Sequence, residues 1–240
     1  MAKKLYEESN IQAIADAIRG KNGTTTTYKP SEMATAIAAI EGGSVDTLDA
    51  RLNGTLTSYS NDTLTEVLQY GFYKCEQLAY VNLPAVTTVG SNGFSNCSGL
   101  VSVSLPSLTY IGDYGFYRCT SLESIVIPST CKQVQMKYVF YGCTSLKTVD
   151  IYGAPGQIEV QSFRNCSALE AVILRHTDGV IGVPTNGGFS NTYAGSGIVN
   201  GIGYIYVPAA LMEDYKANTY WKAAADYFRA IEDYPDITGG

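Results

Sequence analysis

Charged residues are scarce in this 240-residue chain, at 16% of the sequence, where an average soluble domain carries roughly 25%. The 22 acidic residues outnumber the 16 basic ones, for a net charge of −6. Lysine and arginine form no cluster beyond Lys3-Lys4. A nucleic-acid backbone is held by clustered cations, so nucleic acid is excluded as a partner. No apolar run approaches the roughly 18 residues of a membrane-spanning helix, which excludes membrane insertion. The opening MAKKLYEESNIQAIADAIRG has no continuous apolar core, so classical secretion is not expected. The single histidine, His176, has no motif that places a nucleophile or carboxylate beside it. It reads as a solvated loop residue next to a Gly-rich stretch. The carboxylates Glu159, Glu170 and Asp178 belong to no motif that sets an acid/base pair. Gly195-Ser-Gly197 and Gly201-Ile-Gly203 do not form G-x-G-x-x-G, which argues against a phosphate loop. The expectation is a chain that is not an enzyme and holds no cofactor.

A repeat dominates what is present. Phenylalanine and cysteine recur as Phe72-x-x-Cys75, Phe94-x-x-Cys97, Phe116-x-x-Cys119, Phe140-x-x-Cys143 and Phe163-x-x-Cys166, at steps of 22, 22, 24 and 23 residues. A fixed period of roughly 20–50 residues marks a stacked-repeat architecture. Five of the six cysteines therefore hold one repeat position, pointing the same way into the stack as small buried thiols. Cys131 lies three residues before Val134, where sister repeats carry Leu64, Val86 and Leu108, and reads as a core substitute. Six free thiols are expected, with no disulfide and no grouped C-x-x-C zinc site.

Aligned on cysteine, each repeat reads C-x-x-L-x-x-V-x-L, as in Cys97/Leu100/Val103/Leu105 and Cys143/Leu146/Val149/Ile151. The V-x-L portion alternates with period two, as a short strand does. Pro84, Pro106 and Pro128 end three of these strands, because proline cannot continue a ladder. A turn follows, then a core position (Val67, Val89, Ile111, Val134, Ile158), then the segment bearing Phe and Cys. One unit cannot bury its own Phe, Leu, Val and Cys, and stacking supplies the core.

Four segments follow from this pattern. Residues 1–42 form a helical module: Ile11, Ile14, Ala15 and Ile18 keep helical spacing, and so do Met33, Ile37 and Ile40. Both helices are short, so their apolar stripes pack on each other, on a second copy, or on a partner. Residues 43–66 are a linker, hinged at Gly42-Gly43-Ser44, and a degenerate capping repeat. Residues 67–203 are the solenoid, with Gly188-Phe189 hinting at a sixth, decayed repeat. Residues 204–240 are a strand and a helical cap anchored by Leu211, Tyr215, Tyr220, Trp221 and Phe228.

On these residues the chain resembles the BspA-like leucine-rich repeats, whose units carry an aromatic, a cysteine and an L-x-x-V-x-L-P strand. The resemblance covers about residues 64–175. It implies an α+β repeat solenoid, a right-handed stack of short parallel strands between an N-terminal helical hairpin and a C-terminal helical cap. The segment IADAIRGKNGTTTTYKPSEMATAIAAI (14–40) resembles a helical module at the start of tail-associated proteins of phages and prophages of Gram-positive bacteria. Residues 204–231 resemble the terminal segment that follows such repeats in the same proteins.

Function is then a matter of surface. Outward strand positions are Tyr80/Asn82, Ser102/Ser104, Ser124/Val126, Thr148/Asp150 and Ala171/Ile173. A second stripe flanks the phenylalanines: Tyr70, Tyr114 and Tyr138 two residues before, Tyr73, Tyr117 and Tyr141 one after. Rungs about 5 Å apart let such rings form a ladder, and Tyr, Ser and Asn surfaces suit recognition. Any single tyrosine is more often a shield for the core. The resemblances imply a virion or tail-associated binding protein, cytoplasmic before assembly, that recognises a protein or glycan on a cell surface. Residues 11–40 would attach it to the particle or to further copies. The alternative they imply is an extracellular bacterial adhesin.

Overall fold

The computed structural model describes residues 56–132, 137–153, 158, 161–183 and 192–238. The chain divides between Leu56 and Thr57, and the architecture below is that of the unit opening at Thr57. The helices expected over 11–40, the hinge at 42–44, Val134, Glu159 and the Gly188-Phe189 pair lie outside the described residues.

Each repeat opens with a strand of three or four residues, and all strands run parallel. Strands β1 (Ser58–Ser60), β3 (Tyr80–Asn82) and β5 (Ser102–Ser104) form one sheet. Strands β7 (Ser124–Ile127), β8 (Thr148–Ile151), β9 (Ala171–Leu174), β10 (Tyr204–Val207) and β11 (Phe228–Ala230) form another. Equivalent repeat positions sit opposite one another: Val81 faces Val103, Ile125 faces Val149, and Val172 faces Ile205. A third parallel sheet joins β2 (Glu66–Val67), β4 (Thr88–Val89) and β6 (Tyr110–Ile111) at the core Val/Ile position. The sequence pattern shows only a turn and a core residue here, since two residues are too few for an alternation to register. Gly112 lets these rungs close up, for a Cβ there would stand 2.4 Å from the backbone nitrogen of Ser91.

The return segment is a run of tight turns that satisfies its own backbone. The N–H groups of Tyr70, Phe72 and Lys74 donate to the carbonyls of Ser91, Gly93 and Ser95 in the next repeat. Those of Gly71, Tyr73 and Cys75 close turns onto Leu68, Tyr70 and Phe72. The alternation recurs from Asn92 to Asn96. It places two residues per repeat in the left-handed region. Two before each phenylalanine stand Tyr70, Asn92, Tyr114, Tyr138 and Gln161, and two after stand Lys74, Asn96, Arg118, Gly142 and Asn165, with φ from 54° to 73°. Asparagine tolerates this conformation, which accounts for Asn92, Asn96 and Asn165 at these positions.

Inside, the five phenylalanines stack along the axis at 5.0, 5.1, 5.7 and 5.6 Å between successive ring centroids. All six cysteines are buried and none is in a disulfide. Their thiols bond between rungs: Cys97, Cys119, Cys143 and Cys166 donate to the carbonyls of Phe72, Phe94, Phe116 and Phe140 at 2.8, 3.1, 3.1 and 3.0 Å. Burial pushes the Cys143 thiol up to about 12.

A sixth aromatic rung is Tyr193, 30 residues after Phe163. Its ring lies 5.2 Å from Phe163, Gly195 keeps the left-handed φ at 69°, and the Ser196 N–H closes onto the Tyr193 carbonyl as cysteine does elsewhere. Tyr193-x-x-Ser196 thus replaces Phe-x-x-Cys.

The C-terminal segment combines β10 and β11 with 3-10 turns at Ala209–Leu211, Lys222–Tyr227 and Ile231–Asp233, helix α1 (Met212–Ala217) and the single-turn α2 (Pro235–Thr238). Tyr215, Trp221 and Phe228 are buried together with centroids 5.2 to 5.8 Å apart. Trp221 lies 6.2 Å from Tyr193, so it closes the aromatic column. Tyr220, expected as an anchor, is 44% exposed, because its neighbour Trp221 takes the inward position. No helix among the described residues is long and apolar enough to cross a membrane.

Candidate recognition surface

The tyrosines beside the repeat phenylalanines fall into two groups. Tyr114 and Tyr138 stack at 4.8 Å with 1° between ring planes, and Tyr117 and Tyr141 stack at 5.3 Å. The two columns meet at 5.6 Å through Tyr114–Tyr117 and at 6.2 Å through Tyr138–Tyr141, so four rings form one cluster. Tyr70 and Tyr73 are a separate edge-on pair at 5.5 Å. The repeat between carries Asn92 and Ser95 at these positions, which breaks the expected continuous ladder. Cations and an amide frame the rings: Lys74 lies 5.5 Å above Tyr73, Arg118 lies 5.2 Å above Tyr117, and Asn165 Nδ2 donates to the Tyr141 hydroxyl at 3.3 Å. Tyr70 is 45% exposed and the other five are half-buried. Desolvation and the neighbouring Tyr138 raise the Tyr114 phenol, which stays protonated and able to donate.

The strand face is flatter and more polar. Tyr80, 59% exposed, projects from it beside exposed Asn82, Ser102, Ser104 and Ser124. Thr148 and Asp150 are half-buried. Asp150 is gripped by Arg175, Nε at 2.7 Å to one carboxylate oxygen and Nη2 at 3.0 Å to the other. That bond raises the Arg175 pKa further. The strip stops at β9. Ala171 and Ile173, expected to point outward, are 2% and 1% exposed and pack on Tyr206, with Ile231 and Tyr234 alongside. The C-terminal segment folds back over this end of the sheet. The run Ala-Val-Ile-Leu carried the signal, for a strand covered on both faces reads as continuously apolar.

These rungs reproduce the spacing of a known repeat. The model of the BspA type leucine rich repeat region matches six copies across residues 60–190, more than half of the chain. The chain belongs to the BspA-type leucine-rich repeat family. Three solved structures of leucine-rich repeat proteins are similar to parts of it. A T. pallidum leucine rich repeat protein shares 30% identity over 50% of this chain and 59% of its own, with a TM-score of 0.41. A leucine rich cell surface protein of Faecalibacterium prausnitzii shares 28% over 49% and 38%, with a TM-score of 0.40. A leucine-rich repeat protein of Bacteroides ovatus shares 20% over 65% and 44%, with a TM-score of 0.42. The chain thus spans 38% to 59% of the lengths of these proteins. No curated protein matches it.

His176 departs from its expected place. It is 6% exposed, not solvated. Its Nε2 lies 2.7 Å from the Gly179 carbonyl and 2.9 Å from the Tyr215 hydroxyl, which also accepts the Ile181 N–H at 3.0 Å. Trp221 Nε1 donates to the Ile181 carbonyl at 2.6 Å. The histidine thus ties the last regular repeat to the terminal segment in this BspA-type stack. Burial lowers its pKa, against a smaller opposing effect of the Gly179 carbonyl. Among the other residues of this region, Tyr152 and Arg175 stand where earlier repeats have the strand-ending proline. That break in the proline column marks them in the sequence; repeat spacing alone does not.

Proposed function

We propose that this BspA-type chain is a non-enzymatic recognition protein that is carried on a phage or prophage tail and presents its solenoid to a protein or glycan on a cell surface. One observation carries the reading: Tyr70, Tyr114 and Tyr138 occupy left-handed backbone positions that Asn92 fills in a sister repeat. A bulky side chain there costs about 1–2 kcal/mol. Local strain of this kind gathers where a side chain serves a purpose outside the fold. The tyrosines offer rigid contact area with a polar tip, and Lys74 and Arg118 sit against them. The low charge and the lack of any catalytic motif support a binding role. Attachment would fall to residues 11–40, on the resemblance of 14–40 to tail-associated modules.

Fluorescently labelled protein tested on a panel of bacterial cells checks the reading. The intact chain labels a subset of cells, and a variant with serine at Tyr70, Tyr73, Tyr114, Tyr117, Tyr138 and Tyr141 does not. Equal labelling by the two would remove the tyrosines from the account. A second reading, a bacterial surface adhesin, is favoured by membership in the BspA-type family. Antibody labelling separates the carriers: signal on purified particles supports the tail, and signal on intact producing cells supports the adhesin.

A further inference from the structure

We infer that the cleft beyond the ends of β7, β8 and β9 binds a neutral saccharide. The inference rests on the recognition reading and gives it a second site, on the other limb of the repeat from the tyrosine ladder.

The first strand of three repeats is followed by Pro84, Pro106 and Pro128, but the next two repeats put Tyr152 and Arg175 there. The Tyr152 N–H donates to the Ile127 carbonyl and the Arg175 N–H to the Ile151 carbonyl, both at 2.9 Å. Proline cannot make these bonds. The ladder therefore runs one residue further, and two large side chains come together on adjacent rungs. The Arg175 guanidinium lies 4.8 Å from the centre of the Tyr152 ring and is held bidentate by Asp150. Gly153 allows the turn after β8 to close on its neighbour, since a Cβ there would stand 2.4 Å from the Cys131 carbonyl.

The result is a cleft of about 410 Å³, walled by Ser129 and Lys132 after β7, Tyr152 after β8, and Arg175, Thr177 and Asp178 after β9. Its volume lies within the roughly 300–1,000 Å³ of small-molecule sites. Its chemistry narrows the class. A saccharide ring has an apolar C–H face and a rim of hydroxyls, each both donor and acceptor. Tyr152, 47% exposed, supplies an aromatic platform. Lys132 and Arg175 donate, Asp178 accepts, and the hydroxyls of Ser129 and Thr177 do both. Lys132 and Arg175 are balanced by Asp178 and Asp150, so the cleft holds no excess charge to select an anion. The Arg175 guanidinium is already held by its bond to Asp150, which lowers the ordering cost of binding.

An array of neutral and anionic bacterial-surface oligosaccharides, with calorimetric titration of whatever binds, tests this on four proteins: the intact chain, Tyr152→Ser, Tyr152→Phe, and Tyr110→Ser, a change at an exposed tyrosine of β6 outside both surfaces. Thermal midpoints run in parallel as a folding control. The expected result is a neutral oligosaccharide whose affinity falls at least tenfold in Tyr152→Ser and survives in Tyr152→Phe and in Tyr110→Ser. Three results overturn the inference: no saccharide bound by the intact chain, anionic saccharides alone bound, or Tyr152→Ser binding as tightly as the intact chain. If the intact chain still labels cells in any of these three cases, the recognition reading stands without the cleft. If it labels no cells either, both readings fail.

Discussion

With φ at 59°, 61° and 55°, Tyr70, Tyr114 and Tyr138 hold a conformation that suits asparagine or glycine. Tyr70→Asn removes an edge-on contact with Tyr73 and relieves the backbone, so it should leave stability unchanged or raise it by about 1 kcal/mol in a urea titration. A loss of more than that amount would mean the ring is structural. The thiols make an opposite case. Each of the six is buried and desolvated, so a thiol-reactive dye should label none rapidly in the folded protein at pH 8 and all six in guanidinium. The Phe–Cys spacing made the buried cysteines legible, because position in a repeat fixes which way a side chain points. The strain on the tyrosines was not legible, because φ follows from the turn ladder and has no residue-type signature when Tyr, Asn and Gln share the site.

At the scale of the element, the column of phenylalanine rings dominates the packing. Phe116 stacks at 5.1 and 5.7 Å on its neighbours and is fully buried. Phe116→Ala should cost about 3–5 kcal/mol, read as a shift in urea midpoint, whereas Tyr117→Ala on the surface should cost under about 1.5 kcal/mol. The terminal segment responds to pH through His176. Its folded pKa is depressed below the ordinary value of about 6.5. Folding therefore favours the neutral imidazole, and that stability is complete above pH 6.5 and lost as pH falls toward the folded value. Denaturant midpoints should drop between pH 7.5 and 5.5, and His176→Gln should flatten the drop. The strands β7 and β8 were visible as alternating runs, β9 was visible only as a continuous apolar run, and β2, β4 and β6 were not visible. The burial of His176 also escaped, since it depends on Tyr215, 39 residues away.

At the largest scale, the unit that opens at Thr57 has the stability of a one-dimensional stack, in which each repeat relies on its neighbours and the ends need cover. The terminal segment supplies that cover by closing the aromatic column with Trp221 and laying Tyr206, Ile231 and Tyr234 over Ala171 and Ile173. Truncation after Gly203 should leave an open strand edge and an apolar face, giving more aggregate by size exclusion than the full chain gives under the same conditions. The regular rungs were readable from period alone. A sixth was expected at Gly188-Phe189, which lies outside the described residues, and its aromatic rung at Tyr193 was missed because Tyr193-x-x-Ser196 changes both marker residues and the step.

The central claim is that tyrosine sits in left-handed turns for recognition and at some expense to the fold. It is tested most directly by replacing Tyr70, Tyr114 and Tyr138 with the asparagine found at position 92, then measuring cell binding and unfolding on the same preparation. Relief at three backbone positions, about 1–2 kcal/mol each, is set against four lost ring contacts, Tyr114–Tyr138, Tyr70–Tyr73, Tyr114–Tyr117 and Tyr138–Tyr141, at about 0.5–1.5 kcal/mol each, so the two sums offset. The account predicts binding at least tenfold weaker, with stability changed by less than about 2 kcal/mol. Undiminished binding, or a fold weakened by several kcal/mol, would contradict it.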